Sequence, residues 1–168
     1  ISENAVITNV GACLGSSAIV LLDAMKSKYA TFHFIDHFDM SGVELSAQSP
    51  VMQNEFLHNI QPYIGRDHKV YVFRANTLKM DLFPKSDFIF IDADHTAKFI
   101  QHDSFLAKEC LTPNGVAVFH DYNQPIWPDV KPILDKQFAK LDVYQTMAVY
   151  RRVEPVRETY QWLNKHRI

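Results

Sequence analysis

Two acidic clusters dominate the chemistry available to this chain. Ile91-Asp92-Ala93-Asp94-His95-Thr96 puts two carboxylates and an imidazole within four positions. Like charges so close raise the pKa of one of them and help a carboxylate act as a base. The same groups suit a hard divalent cation. The plainer alternative is that Asp94 caps a following helix and His95 is solvated. The second cluster is Val118-Phe119-His120-Asp121-Tyr122-Asn123. If the strands that carry the two clusters are neighbours, Asp92 and Asp121 can share one ion; otherwise the second is a polar turn before Pro125.

A third feature lies near the start, in Asn9-Val10-Gly11-Ala12-Cys13-Leu14-Gly15-Ser16-Ser17. Glycines after a strand let the backbone approach a ligand, and the helix N-terminus that follows attracts an anion. The spacing is G-x-x-x-G, not the G-x-G-x-x-G of dinucleotide folds. A tight turn with Ser16 or Ser17 as helix cap explains the same residues. Asp36 follows roughly 20 residues later, where a carboxylate can accept the hydroxyl protons of a ribose. That pair of features fits NAD and S-adenosylmethionine equally.

These residues need a scaffold that brings them together. Short apolar runs at Ala5–Val10, 31–36, 69–74, 87–92 and 115–120 read as strands. The near-continuous run from Asp87 to Asp92 suits a strand buried on both faces, as in a parallel sheet covered by helices. Between them come segments of helical period, with Leu14, Ala18, Leu21, Leu22 and Met25 on one stripe. Further helices are expected over 50–64, 97–110 and 128–140. Pro113-Asn114-Gly115 is a turn signal before a strand. Residues 141–147 and 148–153 read as a closing antiparallel pair, and 154–167 as a last amphipathic helix.

The βαβα order predicts an α/β fold: a three-layer, doubly wound, Rossmann-like sheet, mostly parallel, with an antiparallel C-terminal strand. In such sheets ligands bind beyond the carboxyl ends of the strands. Here those ends carry Asn9, Asp36, His37, Asn76, Asp92, Asp94, His95, His120 and Asp121.

Composition narrows the partners. The chain has 168 residues, 47% apolar and 21% charged, which suits one domain over 1–168 with one substantial core. A formal net charge of −2 gives no electrostatic reason to expect nucleic acid. No apolar run approaches a bilayer span, so no membrane partner is expected. Cys13 and Cys110 are too far apart in sequence for a disulfide framework or zinc site and suit a reducing, cytoplasmic compartment. The chain begins at Ile1, not Met, and enters an apolar segment almost at once, which leaves room for an upstream lid or dimer arm. Asp103 is expected as a helix cap or surface charge, Trp127 as a packing residue within reach of substrate, and the scattered histidines as surface or satisfied core residues.

The order of elements resembles the class I S-adenosylmethionine-dependent methyltransferases. Phe90-Ile91-Asp92-Ala93-Asp94-His95-Thr96, then Asp103, then Leu111 through Gly115 to Phe119-His120-Asp121-Tyr122 looks more narrowly like methyltransferase family 24, a group of small-molecule O-methyltransferases. The likeness runs from about Ala5 to Arg152. It implies a seven-stranded sheet and S-adenosylmethionine as cofactor. It implies that Gly11 and Gly15 approach the methionine part, that Asp36 holds the ribose, that Asn76 and Thr77 lie near the adenine, and that Asp92 sits at the methyl-transfer site. With Asn9, Ala12, Ser16, Ser17 and His37, these form the expected cofactor-binding set. Ligands to a metal such as Mg2+ would be Asp92, His120 and Asp121. Asp94 is the base that the resemblance suggests, with His95 and His120 as further candidates. The implied acceptor is a hydroxyl of a small molecule (a sugar, macrolide or phenol), and a homodimer is the expected assembly. Asn9 departs from the acidic residue usual at the end of the first strand, and His120 from a carboxylate in some relatives. A nicotinamide oxidoreductase, a non-catalytic binding domain and a metal-dependent hydrolase are the competing readings.

Overall fold

The structure is a computed structural model that describes residues 3–39 and 49–153. The helix expected over 154–167 lies outside those residues.

The strands are β1 (Ala5–Val10), β2 (Ala30–Asp36), β3 (His68–Arg74), β4 (Ser86–Ile91), β5 (Leu111–Phe119), β6 (Asp142–Tyr144) and β7 (Met147–Arg151). They form one sheet in the order β3-β2-β1-β4-β5-β7-β6. β1 to β5 pair in parallel, and β7 runs antiparallel to both β5 and β6. The chain therefore winds outward from β1 to β3, then crosses back to β4 beside β1. That reversal leaves a crevice at the carboxyl ends of β1 and β4, where open α/β sheets bind ligands.

Four helices cover the faces: α1 (Ser16–Ala24), α2 (Ser49–Ile60), α3 (Ala97–Cys110) and α4 (Val130–Gln137). Ala18 and Leu22 of α1 with Phe56 and Ile60 of α2 bury Ile7, Phe32 and Phe34 on one face. Ile100, Leu106 and Cys110 of α3 with Val130 and Leu134 of α4 bury Ile89, Ile91 and Phe119 on the other. The same strands thus feed two cores, which explains their near-continuous apolar runs. No helix among the described residues is long and apolar enough to cross a membrane. Cys13 is exposed and Cys110 buried.

Several expected boundaries shift for local reasons. α2 stops at Ile60 and passes into a 3-10 turn at Gln61–Tyr63, because Pro62 has no N–H to continue the ladder. The turn expected at Pro113-Asn114-Gly115 is instead a bulge inside β5. Pairing with β4 jumps from Ser86↔Leu111 to Phe88↔Val116, with Asn114 at a left-handed φ of 64°. Leu14 lies off the buried stripe of α1 and is 40% exposed. The segment between β3 and β4 holds only a 3-10 turn, Thr77–Lys79, capped by the Asn76 side-chain Oδ1, which accepts the Leu78 N–H at 2.9 Å.

Candidate active site

The ends of β1 and β4 meet at Gly11. A Cβ there would stand 2.0 Å from the Asp92 carbonyl oxygen, and φ is +84°. Only glycine fits, so the first loop and the Asp92 loop pack backbone to backbone. Gly15, at φ 103°, is the N-cap of α1, which has no side-chain cap. The capping role considered for Ser16 or Ser17 is thus not what the structure holds: Ser17 bonds the fully buried Asn9, whose Nδ2 donates to its Oγ at 2.8 Å.

Asp36 ties the first two loops together. One carboxylate oxygen accepts the Cys13 N–H at 2.7 Å, and the other accepts the Phe38 N–H at 2.5 Å. Cys13 and Phe38 both sit at positive φ, 46° and 55°. For a bulky residue such as Phe38 this conformation is strained, and the carboxylate helps to hold it. Asp36 is therefore both a turn aspartate and a wall of the crevice.

The β4 and β5 ends converge. His95 Nε2 lies 3.1 Å from the Asp121 carboxylate and 3.8 Å from that of Asp92. His120 Nδ1 lies 3.1 Å from Asp121 and 3.5 Å from Asp92, yet makes no hydrogen bond of good geometry. Asp121 is itself left-handed, at φ 55°. Burial raises the pKa of Asp92, and Asp121 adds to the rise; His120 and His95 oppose it. The His95 ring stacks on Trp127, centroids 4.7 Å apart and planes 17° apart. Asp94 is exposed and accepts the Thr96 N–H at 2.8 Å in a turn before α3; the N-cap of α3 is Thr96 and it has no side-chain cap bond, so Asp94 is not the helix cap that the sequence offered as an alternative.

Asp36, Asp92, Asp94, His95 and Trp127 line one cavity of about 510 Å³. It runs from Asp36 and His37 past Gly11 and Thr77 to Asp92, Asp94, His95 and Trp127. Of the expected cofactor set, Asn9, Ala12, Gly15, Ser16, Ser17 and Asn76 do not line it; they hold the loops that do. His120 and Asp121 stand behind Asp92 and His95. Sequence reasoning missed Cys13, Asp39, Met52 and Phe99, which also line the cavity. Met52 and Phe99 lie on helices, where an apolar residue signals core before it signals ligand. Asp39 closes the strand-end run that begins at Asp36, and that position was its only signal.

Asp92, His95 and Asp121 each offer one ligand atom, all within 4.8 Å of one another, and they are the group among the described residues that could hold a metal. Two carboxylates and an imidazole fit a divalent cation. His95 belongs to this group, and the expected His120 lies 3.5 Å from Asp92 and 3.1 Å from Asp121, beside the same two carboxylates.

Asp103 corrects the sequence reading. It is 1% exposed, not a cap or a surface charge, and burial pushes its carboxyl up to about 6. The folded protein therefore holds this proton to higher pH than the unfolded chain does. Stability should fall as pH rises from about 4 to about 6, by up to about 3 kcal/mol. Asp103→Asn should flatten that slope in urea unfolding measured across this range.

Methyltransferase family 24, described as a methyltransferase domain, matches residues 9–122. The chain belongs to this family, and with it to the class I S-adenosylmethionine-dependent methyltransferases. The O-methyltransferase NovP is similar in structure, with a TM-score of 0.67 at 16% identity over 90% of this chain and 73% of that one. The TDP-rhamnose 3'-O-methyltransferase CalS11 of calicheamicin biosynthesis has a TM-score of 0.63 at 12% identity, over 89% and 72%. A precorrin-6y C5,15-methyltransferase from Geobacter metallireducens has a TM-score of 0.61 at 14% identity, over 89% and 79%. At these identities the likeness is one of fold. No curated protein matches the sequence.

Proposed function

We propose that the protein transfers the methyl group of S-adenosylmethionine to a hydroxyl oxygen of a small acceptor. The observation that carries this is one cavity with Asp36 at one end and the Asp92, His95, Asp121 group at the other. When bound, the cofactor supplies an electrophilic methyl on sulfur. What the chain must add is alignment of the acceptor oxygen and removal of its proton.

Asp36 still has lone pairs for ribose hydroxyls after accepting two backbone N–H groups. Thr77 and Ala75 line the side of the cavity suited to adenine. At the far end His95 is the favoured base. Its Nε2 lies 3.1 Å from the Asp121 carboxylate, which can stabilise the imidazolium formed on proton uptake, and stacking on Trp127 fixes the ring. Asp94 also lines the cavity and is the second candidate. A divalent ion held by Asp92, His95 and Asp121 would instead lower the hydroxyl pKa and orient the acceptor.

The acceptor class rests on chemistry and on the fold relatives. CalS11 is named for a sugar hydroxyl, and the flat Trp127 face beside a carboxylate cluster suits a sugar or phenol ring. Trp127→Ala should raise the acceptor KM about tenfold while leaving S-adenosylhomocysteine affinity unchanged, read by steady-state kinetics and calorimetry. The reading as a whole is tested by titrating S-adenosylhomocysteine and NADH separately, with and without magnesium, into wild type and Asp121→Ala. Binding of the first and not the second is expected, and a magnesium effect should vanish in the variant if Asp121 is a ligand. No binding of S-adenosylhomocysteine would return the chain to a non-catalytic role.

A further inference from the structure

The strand-end cluster carries more nitrogen than a magnesium site should. Asp92, His95 and Asp121 stand at the ends of β4 and β5, none of them fully exposed, with ligand atoms within 4.8 Å of one another. His120 stands against the same two carboxylates, its Nδ1 3.5 Å from Asp92 and 3.1 Å from Asp121. That nitrogen is buried and completes no hydrogen bond. A buried polar atom beside two carboxylates needs a partner, and no described residue supplies one with good geometry. Asp121 itself holds a left-handed φ of 55°, a strained conformation of the kind that gathers at functional sites.

Spacing and donor type answer different questions about such a site. Donor atoms bound to one small ion at about 2.0–2.2 Å stand roughly 2.9 Å apart at right angles and roughly 3.4 Å apart in a tetrahedron. The nitrogen-to-oxygen separations here are 3.1 and 3.8 Å for His95, and 3.1 and 3.5 Å for His120. They suit any small divalent ion with little movement. Donor type then chooses among the ions. Mg2+ takes oxygen ligands and keeps several waters. Imidazole suits transition metals, and a set that mixes imidazole with carboxylate is the kind that holds divalent iron in non-haem sites. A cluster shaped for magnesium would present further oxygens where this chain presents His95 and His120.

We propose that this site selects a first-row transition-metal dication over Mg2+, seated between Asp92 and Asp121 with His95 Nε2 as its nitrogen ligand and His120 Nδ1 as a second nitrogen in reach. This rests on the metal-assisted form of the proposed reaction and names the class of its ion. Asp92 and His95 line the cavity, and Asp121 and His120 do not. Protein ligands therefore occupy the inner side of the site, and its open positions face the cavity, as a catalytic metal site requires. The assignment also settles which group takes the acceptor proton when the site is loaded. With Nε2 engaged, His95 is a ligand and not a base, and Asp94, which lines the same cavity, has that role.

The test uses protein stripped of metal with a chelator, titrated calorimetrically with Mg2+, Mn2+ and Co2+, with S-adenosylhomocysteine titrated into the same samples. One site that takes Co2+ about a hundredfold more tightly than Mg2+ is expected. Spin-echo spectroscopy of the bound Mn2+ should show modulation from a directly coordinated imidazole nitrogen, and the His95→Ala, His120→Ala double variant should lose it. Asp121→Ala should remove the site. His120→Asp, which supplies a carboxylate in place of an imidazole, should narrow the preference for Co2+ about tenfold, chiefly by admitting Mg2+. Mg2+ affinity within a few-fold of that for Co2+ in the wild type, Mn2+ bound without nitrogen modulation, or Co2+ affinity undiminished in Asp121→Ala would each overturn the proposal. If the histidine variants do not fold, the wild-type preference and the Mn2+ spectrum decide alone. A wild type that binds S-adenosylhomocysteine but no ion overturns this proposal and leaves the cofactor reading standing; one that binds neither overturns both.

Discussion

Asp92→Ala should lower kcat about a thousandfold while changing S-adenosylhomocysteine affinity only a few-fold. The asymmetry follows from where each part of the residue sits. Its backbone closes the floor of the cavity, where the Asp92 N–H donates to the Val10 carbonyl at 2.9 Å and its own carbonyl packs on Gly11. Alanine keeps that main chain and so keeps the cofactor cradle. The side chain points into the His95, His120, Asp121 group, and it is the only member of that group to face both histidines and the cavity. Without it, the cluster loses the carboxylate that faces the acceptor, and His95 and His120 lose one of their two counter-charges. Electrostatic groups placed at a reacting centre are each worth about 100- to 1000-fold, and a metal ligand more. The fold should tolerate the change, because Asp92 is an acid held partly out of water beside another acid. A kcat within tenfold of wild type, measured with any acceptor that the wild type methylates, would place the chemistry elsewhere in the cavity.

The fold was readable because each buried strand carries its own signature. Phe88, Ile89, Phe90 and Ile91 leave no polar face, and a run like that has few homes outside a covered parallel sheet. The closing hairpin was also legible: two β-rich runs meet with no helix between them, and β6 and β7 turn at Gln145, at φ 55°. What the sequence could not convey was the division of labour within the loops. Asn9 and Ser17 look like ligand contacts but satisfy each other, and Asn76 caps a turn. Polar residues at strand ends serve the backbone there before they serve a ligand, and sequence spacing does not separate the two uses. Asp103 was misread for the opposite reason. Its position did carry a mark of burial, three residues after Ile100, three before Leu106 and seven before Cys110 on the buried stripe of α3, but its charged type pointed to the surface. The nearness of both histidines to one carboxylate was likewise hidden from spacing: Asp121, left-handed after β5, lies 3.1 Å from His95 and 3.1 Å from His120.

Among the described glycines the largest loss of stability should come from Gly11→Ala, about 4 kcal/mol or more, a large share of a typical total of roughly 5–15 kcal/mol. Two penalties coincide there. The left-handed φ of +84° costs any residue with a Cβ about 1 kcal/mol. The added methyl would also meet the Asp92 carbonyl oxygen at 2.0 Å, its carbon at 2.4 Å and the Ala93 Cα at 2.7 Å, all main chain. Main chain cannot rotate away, so β1 and β4 must separate at their carboxyl ends, where both cores meet the cavity. Gly15→Ala has a similar φ, of 103°, but its methyl meets the Ile60 side chain at 3.0 Å, which can shift; about 1–2 kcal/mol is expected. Gly65→Ala, facing only the His68 ring at 3.2 Å, should cost less than about 1 kcal/mol. Urea unfolding of the three variants should therefore rank them Gly11, Gly15, Gly65. Whatever fraction of Gly11→Ala still folds should bind S-adenosylhomocysteine weakly, because separating the strands displaces the Asp92 loop. A Gly11→Ala midpoint close to that of Gly65→Ala would mean that the two loops do not pack backbone to backbone, and the cavity floor would have to be redrawn around some other contact.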